Sequence, residues 1–352
     1  MPINVLSLPY PVTFVVRYPE LWPELFQASE TSIPDPNSLH SRIQTNEDCW
    51  IILTYLYLKQ KHKHLNVSIS DRFIPGQICV VSSLDFGIKD LTFNSFVVGC
   101  RGDGFKPPLC DFTIMQNKVC VDSETHVFIP LWPQPGLIPR LKERGSKIEN
   151  IVFKGGEINL YESFRSPEFK RELEKLGVTL RINGKPESGP VMWHDYSTDD
   201  LVLAVRDLTE KDALVKPPSK LVNAWIAGVP SLLGPEPAFR EQRQSDLDYI
   251  EVTTPQQVLE AVKLLKSQPE LYQKMVGNGN KRAEDFTEEK MIQRWYEFLA
   301  GPVADGYKRW QQRSQVSRMA EFALRSVQHK ISARKALYDR LHGYRPISGT
   351  HT

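Results

Sequence analysis

Short apolar runs alternate with polar loops through the first part of the chain: INVLSL at 3–8, NVSIS at 66–70, QICVVSS at 77–83, SFVVGC at 95–100, DFTIMQN at 111–117 and HVFIPLW at 126–132. Runs of this length bounded by Gly, Pro and Asp suit strands buried on both faces of a parallel sheet. Between them, CWIILTYLYLKQKHK (49–63) is long enough for a helix, and its basic end suits a helix C-terminus. At 133–150 the texture changes to PQPGLIPRLKERGSKIEN, rich in proline, glycine and charge, which reads as a linker.

Alternation then resumes more regularly. IENIVFKGG predicts a strand and turn, and SPEFKRELEKLG (166–177) a helix with Ser166 as N-cap, Pro167 in the first turn and Gly177 as C-cap, followed by VTLRIN as a strand. A helix over 197–203 follows, with Asp199 and Asp200 in its first turn, then a strand near LVLAVRD and a helix beginning in KPPSK. Strands at PSLLG and DYIEV and a helix from Pro255 to Lys266 complete the pattern. Two βαβ-type halves joined by a linker predict an α/β fold of two Rossmann-like domains facing one another across a cleft, with ligand loops at the carboxyl ends of the strands.

Composition agrees with two domains. The chain has 352 residues, more than one core usually serves, and 41% hydrophobic and 24% charged residues are ordinary globular values. No apolar run reaches the roughly 18 residues that span a bilayer, and MPINVLSLPYPV lacks the basic region and cleavage site of a signal peptide, so the expected location is cytoplasmic. Five cysteines (Cys49, Cys79, Cys100, Cys110, Cys120) without CxxC spacing read as buried thiols, with neither a disulfide framework nor a zinc site. The net charge of +2 conceals an asymmetry: ten Lys or Arg stand between Tyr307 and Arg345 against Glu321 and Asp339, a local +8 that leaves −6 for the remainder. INVLSL is followed by PYPVTF with no GxGxxG, and neither a nucleophile elbow nor HExxH occurs.

The stretch KPPSKLVNAWIAGVPSLLGPEPAFRE (216–241) carries the strongest chemistry. Pro217 and Pro218 lack N–H groups and force extended chain before them, so a helix must begin at about Ser219. Its first amides have no internal partners and lie at the positive end of the dipole, which suits an anion. Ser219 and Lys220 add a hydroxyl and a cation there, with Lys216 one step outside; a core helix with solvated lysines accounts for the same pattern. Gly155 and Gly156 close IVFKGG, where backbone can approach a phosphate without a Cβ, although a plain turn also fits. Arg206 ends a predicted strand, and a guanidinium can hold a diphosphate through two hydrogen bonds. Trp193 or Tyr196 would stack on a base or belong to the core.

SKLVNAWIAGVPSLLG resembles the donor-binding helix of GT-B glycosyltransferases, where a helix ending in Ala-x-Gly-x-Pro follows the loop that holds the nucleotide's diphosphate. DYIEVTTPQQVLEAVKLLKSQPELYQKMVGNGNKRAEDFTEEKMIQRWYEFL (248–299) is similar to the end of the same domain, with its strand, helix, Asn-Gly turn and closing helix. The likeness covers about 150–300, and the first half by architecture. Many retaining members carry two glutamates eight positions apart; here those positions are Val215 and Asn223, so an uncharged amide faces the ribose and the stereochemical course stays open. Glu236, after the next strand, is a further polar group at the ligand side.

This resemblance implies an N-terminal acceptor domain (1–145), a C-terminal nucleotide-sugar donor domain (146–300) and a basic helical tail (301–352) whose first part packs back on the N-terminal domain. Gly155, Gly156, Arg206, Lys216, Ser219, Lys220, Asn223 and Glu236 would bind the donor. Arg101, Gln116, Asn117 and Trp132 would line the acceptor site or cleft, with Gln134 beside Trp132. An inverting transferase needs a base, for which Asp103, on the glycine-bracketed loop after SFVVGC, is the candidate; His126 and Asp85 are alternatives, and Asp103 equally suits a turn. The implied reaction transfers a sugar to a glycan or lipid-linked acceptor, as in polysaccharide biosynthesis, with no cofactor and no metal. A non-catalytic nucleotide- or glycan-binding protein and a sugar-nucleotide epimerase are the alternatives. The tail, apolar at helical intervals and basic, suits an anionic membrane surface at the inner face, a partner protein or plain solvent; no nucleic-acid partner is expected.

Overall fold

The computed structural model describes residues 7–27, 33–103, 108–184 and 191–342. They form two compact units: one runs to Trp132 and resumes at Glu288, and the other is Pro133–Thr287. The first unit holds a parallel sheet of β1 (Val12–Val15), β2 (Val67–Ser70), β3 (Ile78–Ser82), β4 (Phe96–Cys100), β5 (Phe112–Met115) and β6 (His126–Phe128), in the order β2-β1-β3-β4-β5-β6. Every residue of β1, β3, β4 and β5 is buried, which explains their unbroken apolar runs. The expected strand at 3–8 lies mostly outside the described residues, and β1 is VTFV further on. Two helices belong to this part, α1 (Pro23–Gln27) and α2 (Leu53–Lys61), the latter continuing a π-helical turn at Asp48–Ile52. Burial pushes the Cys79 thiol up to about 11 and those of Cys49 and Cys110 to about 12, so these thiols stay protonated and inert.

The second unit contains β7 (Asn150–Lys154), α3 (Pro167–Lys175), β8 (Thr179–Asn183), β9 (Leu201–Ala204), α4 (Glu210–Val215), α5 (Ser219–Ala227), β10 (Ser231–Leu233), α6 (Pro237–Gln242), β11 (Ile250–Glu251), α7 (Pro255–Ser267) and α8 (Pro269–Ala283). Its strands are parallel in the order β11-β10-β9-β7-β8. The α3 cap forms as expected: the Ser166 hydroxyl accepts from the Phe169 amide at 3.2 Å. Two parallel sheets flanked by helices make this an α/β protein.

Three expectations change. The helix expected over 197–203 is instead the approach to β9, because LVLA is a continuous buried run that pairs with β7 and β10. The Asn-Gly turn expected in 248–299 is absent: α8 passes straight through Asn278 and Gly279. Gly279 serves a close approach, since a Cβ there would lie 2.9 Å from Cδ1 of Trp225 on α5. The segment expected to be a linker is also fixed. Asp200 is fully buried and accepts from Arg140 Nε at 3.0 Å, Arg144 Nε at 2.8 Å and the amides of Glu149 and Asn150 at 2.8 and 2.9 Å. Those bonds tie residues 140–150 to the second unit, so the first domain ends at Trp132 rather than 145.

The chain then returns to the first unit as α9 (Glu288–Phe298), α10 (Ala304–Gln311) and α11 (Gln315–His342). Met291, Ile292, Trp295 and Phe298 of α9 are buried in the same cluster as Phe14, Trp50 and Trp132. Trp295 lies 6.2 Å from Phe14 and 6.4 Å from Trp50, centroid to centroid. The expected domain end at 300 therefore moves to Thr287, because α9 has its apolar stripe in the first core. Val303, Tyr307 and Trp310 join that cluster, so α10 packs on the first unit. Among the described residues no helix is long and apolar enough to cross a membrane.

Asp200→Asn keeps the shape of the Asp200 side chain but leaves the Arg140 and Arg144 cations without their buried counter-charge, and breaking such a pair costs about 3–5 kcal/mol. Urea unfolding of the variant should show a loss of that size; a midpoint within about 0.5 kcal/mol of wild type contradicts this role.

Candidate functional site

In an open parallel sheet, ligands bind outside the carboxyl ends of the strands where the strand order reverses. In the second unit that point lies between β7 and β9. β7 runs out into Gly155, whose φ of +147° is one that only glycine adopts readily, and whose amide donates to the Asn183 carbonyl at 3.0 Å. A Cβ on Gly155 would stand 3.3 Å from the Phe153 ring and 3.7 Å from the Trp193 ring edge. Gly156 follows, half-buried, at the start of a short turn over Glu157–Asn159.

Lys154, the last residue of β7, explains why Trp193 is there. It is 2% exposed, and its ammonium donates to the carbonyls of Met192 and Asp195, pairs with Asp199 Oδ2 at 2.9 Å and lies 4.1 Å from the Tyr196 ring centroid. Burial pushes the Lys154 ammonium down and the Asp199 carboxyl up, against their mutual attraction. The pair pins the segment carrying Trp193 against the end of β7. Sequence reasoning missed Lys154; its one signal is a lysine closing an otherwise apolar strand.

The start of α5 meets the same spot. The helix begins at Ser219 after Pro218, with no side-chain cap. Lys220 places its ammonium 5.0 Å from the Trp193 ring centroid and 5.7 Å from that of Phe153. Ser219 and Lys220 are both half-buried. Gly155, Trp193, Lys220 and an uncapped helix terminus are thus gathered at the switch point of one sheet. Tyr196, at 2% exposure under the Lys154 ammonium, belongs to the core.

Other expected donor residues are engaged elsewhere. Arg206 follows β9, but its guanidinium is held by the Glu236 carboxylate, Nε at 2.9 and 3.0 Å from the two oxygens, and lies 5.7 Å from the Phe239 ring centroid. Arg206 and Glu236 satisfy each other, because each is nearly buried and would otherwise be a desolvated charge. Asn223 is engaged as well: at 6% exposure, its carbonyl oxygen accepts from the Gln134 amide at 3.0 Å, and its side chain also bonds the Tyr196 hydroxyl. Lys216 closes α4 in extended backbone, where a cation suits the helix dipole.

In the first unit, the residues expected at the acceptor end lie beyond β4 and β5. Asp103 is exposed and accepts from Gln116 Nε2 at 3.1 Å; Gln116 and Asn117 are buried, and Arg101 is half-buried. Trp132 is a correction: its Nε1 donates to Thr54 Oγ1 at 2.8 Å and its ring stacks on Tyr57 at 4.4 Å, which makes it core. His126 sits among Asp122 and Ser123.

The switch point of this sheet lies between β1 and β3. Just past β1, Arg17 donates to the Asp85 carbonyl at 3.2 Å and to Asp90 Oδ1 at 2.7 Å. The Glu47 carboxylate accepts from the amides of Arg17 and Tyr18. Burial, with the nearby Asp85 and Asp48 carboxylates, pushes Glu47 up to about 7, and burial raises Asp85 too. Sequence reasoning missed Glu47, whose signal is the acidic pair directly ahead of the apolar CWIILTYLYL helix. Among the described residues no three His, Cys, Asp or Glu side chains are grouped to hold a metal ion.

No protein-family model matches the chain, and no curated protein sequence matches it. It is similar in structure to HepE of Anabaena in complex with UDP and glucose, with a TM-score of 0.48, 10% identity and coverage of 83% of this chain and 99% of that one. TarM gives a TM-score of 0.47 at 10% identity over 70% of this chain; the match spans 58% of TarM's own length. A glycosyltransferase from Rickettsia africae gives 0.45 at 10% identity, over 87% of this chain and 99% of that one.

Glu47 binds its proton more tightly folded than unfolded, so the stability it contributes is present below its ordinary 4.5 and lost as pH rises toward 7. Glu47→Gln has no such titration. Its thermal midpoint relative to wild type should climb as pH is raised from about 5 to about 7.5; a difference that stays constant over that range contradicts the assignment.

Proposed function

We propose that this protein is a glycosyltransferase that binds a nucleotide-sugar at the carboxyl end of the second sheet and passes the sugar to a glycan or lipid-linked acceptor at the carboxyl end of the first. The observation that carries the reading is the convergence of Gly155, Lys220 and the uncapped start of α5 at one switch point. A diphosphate there meets the first turn of a helix, the positive end of its dipole and an ammonium. The half-buried Trp193 ring offers a face to a base.

Rate would come from the leaving group. As the bond from the sugar to the diphosphate breaks, negative charge grows on the phosphate oxygens, and Lys220 with the Ser219 amide stabilises it more than the ground state. The protein's own cations supply this charge, so the proposal assigns no metal. At the acceptor end Glu47 joins Asp103 as a candidate base, because burial places its proton affinity near neutrality, where a base works best. A second reading, binding of a nucleotide without turnover, is favoured by one observation: Arg206 and Asn223 are both occupied by structural contacts.

Thermal unfolding with a panel of nucleoside diphosphates and nucleotide-sugars tests the site, since a ligand at 100 times its dissociation constant adds about 2.7 kcal/mol. Lys220→Ala removes one charge-assisted contact worth about 1.5–3 kcal/mol and should weaken the best ligand about ten- to a hundredfold while the free protein unfolds as before. Equal stabilisation of variant and wild type contradicts the site. Release of nucleoside diphosphate from the stabilising nucleotide-sugar supports transfer, and binding without release supports the second reading.

A further inference from the structure

α11 is attached to the first unit by one face only. Half-buried positions recur along it at 318, 322, 325, 329 and 336, the spacing of a single helical face. On that face the Arg318 guanidinium lies 4.1 Å from the Trp310 ring centroid, Phe322 lies 5.9 Å from Phe93, and Arg325 donates to Asp111 at 3.0 Å. Glu321 is held there too, by Arg313 and Arg325. The opposite face is open. It carries Val316, Met319, Leu324, Val327, Ile331 and Leu341, exposed between 48% and 76%. Scattered exposed apolar residues are ordinary, but a row of them along one side of a helix held in place by its other side is not.

The cations of the exposed side decide what covers it. Lys330, Arg334 and Lys335 are exposed along the same side, and no described acidic side chain accompanies them there. We propose that this face lies on an anionic lipid bilayer, with the helix axis in the plane of the surface, its apolar side chains at the acyl boundary and these three cations at the headgroup phosphates. A second copy of the same face would set the three cations against their like. At about 1.5 Å per residue the helix would lay about 42 Å along the surface. The inference goes beyond the proposed reaction and does not depend on it.

The test is co-sedimentation of the full chain with phosphatidylcholine vesicles made with and without phosphatidylglycerol, in the absence of any nucleotide. Binding should require phosphatidylglycerol and weaken as salt is raised. Substituting Lys330, Arg334 and Lys335 together by Ser should lower the affinity on the order of a hundredfold, at roughly tenfold or less per cation. Val327→Asp combined with Ile331→Asp should abolish binding, while circular dichroism and the thermal midpoint stay at wild-type values because both sites are exposed. Failure to bind either vesicle, equal binding to both, or a concentration-dependent dimer that the Val327 and Ile331 changes dissolve would overturn the proposal.

Discussion

A sheet of parallel strands wound outward from its middle must send two successive connections to opposite faces, and where they part company nothing covers the carboxyl ends. Both sheets of this chain obey that constraint, with the parting between β1 and β3 in one and between β7 and β9 in the other. The second unit furnishes its opening with parts that need little side-chain machinery: a glycine whose backbone comes close, an aromatic edge and the bare start of a helix. Lys220 is the cation those parts place together.

Buried charges brace this sheet at both ends. Lys154 fixes the segment bearing Trp193, and Asp200 locks residues 140–150 through two arginines and two amides. Each is a desolvated charge made tolerable by several bonds at once, and each becomes a liability if one partner goes. Arg206 and Glu236 follow the same logic beside the opening. Under the proposed function, stability and ligand affinity rest on different residues, Lys154 and Asp200 for the first and Lys220 for the second.

Local patterns foretold most of the framework. Apolar runs marked β2 to β6, unbroken in β3, β4 and β5 because strands covered on both faces have no polar side to display, and paired prolines marked the start of α5 to the residue. What escaped was decided by tertiary contact. Met291, Ile292, Trp295 and Phe298 announce an amphipathic helix but not which core receives it. Gly279 looks like a turn until Trp225 is known to press on it. Asp199 and Asp200 resemble a helix start, yet their cations come from residues up to 60 positions away. The positions of Gly155 and of the α5 start that carries Lys220 were legible because backbone rules act locally. The protein contacts of Arg206, Asn223 and Trp132 were not legible, because a polar or aromatic residue at a strand end meets a neighbour according to what packs beside it.

Amide hydrogen exchange on the full chain, with and without the nucleoside diphosphate that binds most tightly, addresses the central claim directly. The account predicts slowed exchange at the Ser219 and Lys220 amides and at Gly156, with α3 unchanged. Saturating ligand that leaves those amides exchanging at their free rate, or protects a different strand end instead, would contradict it.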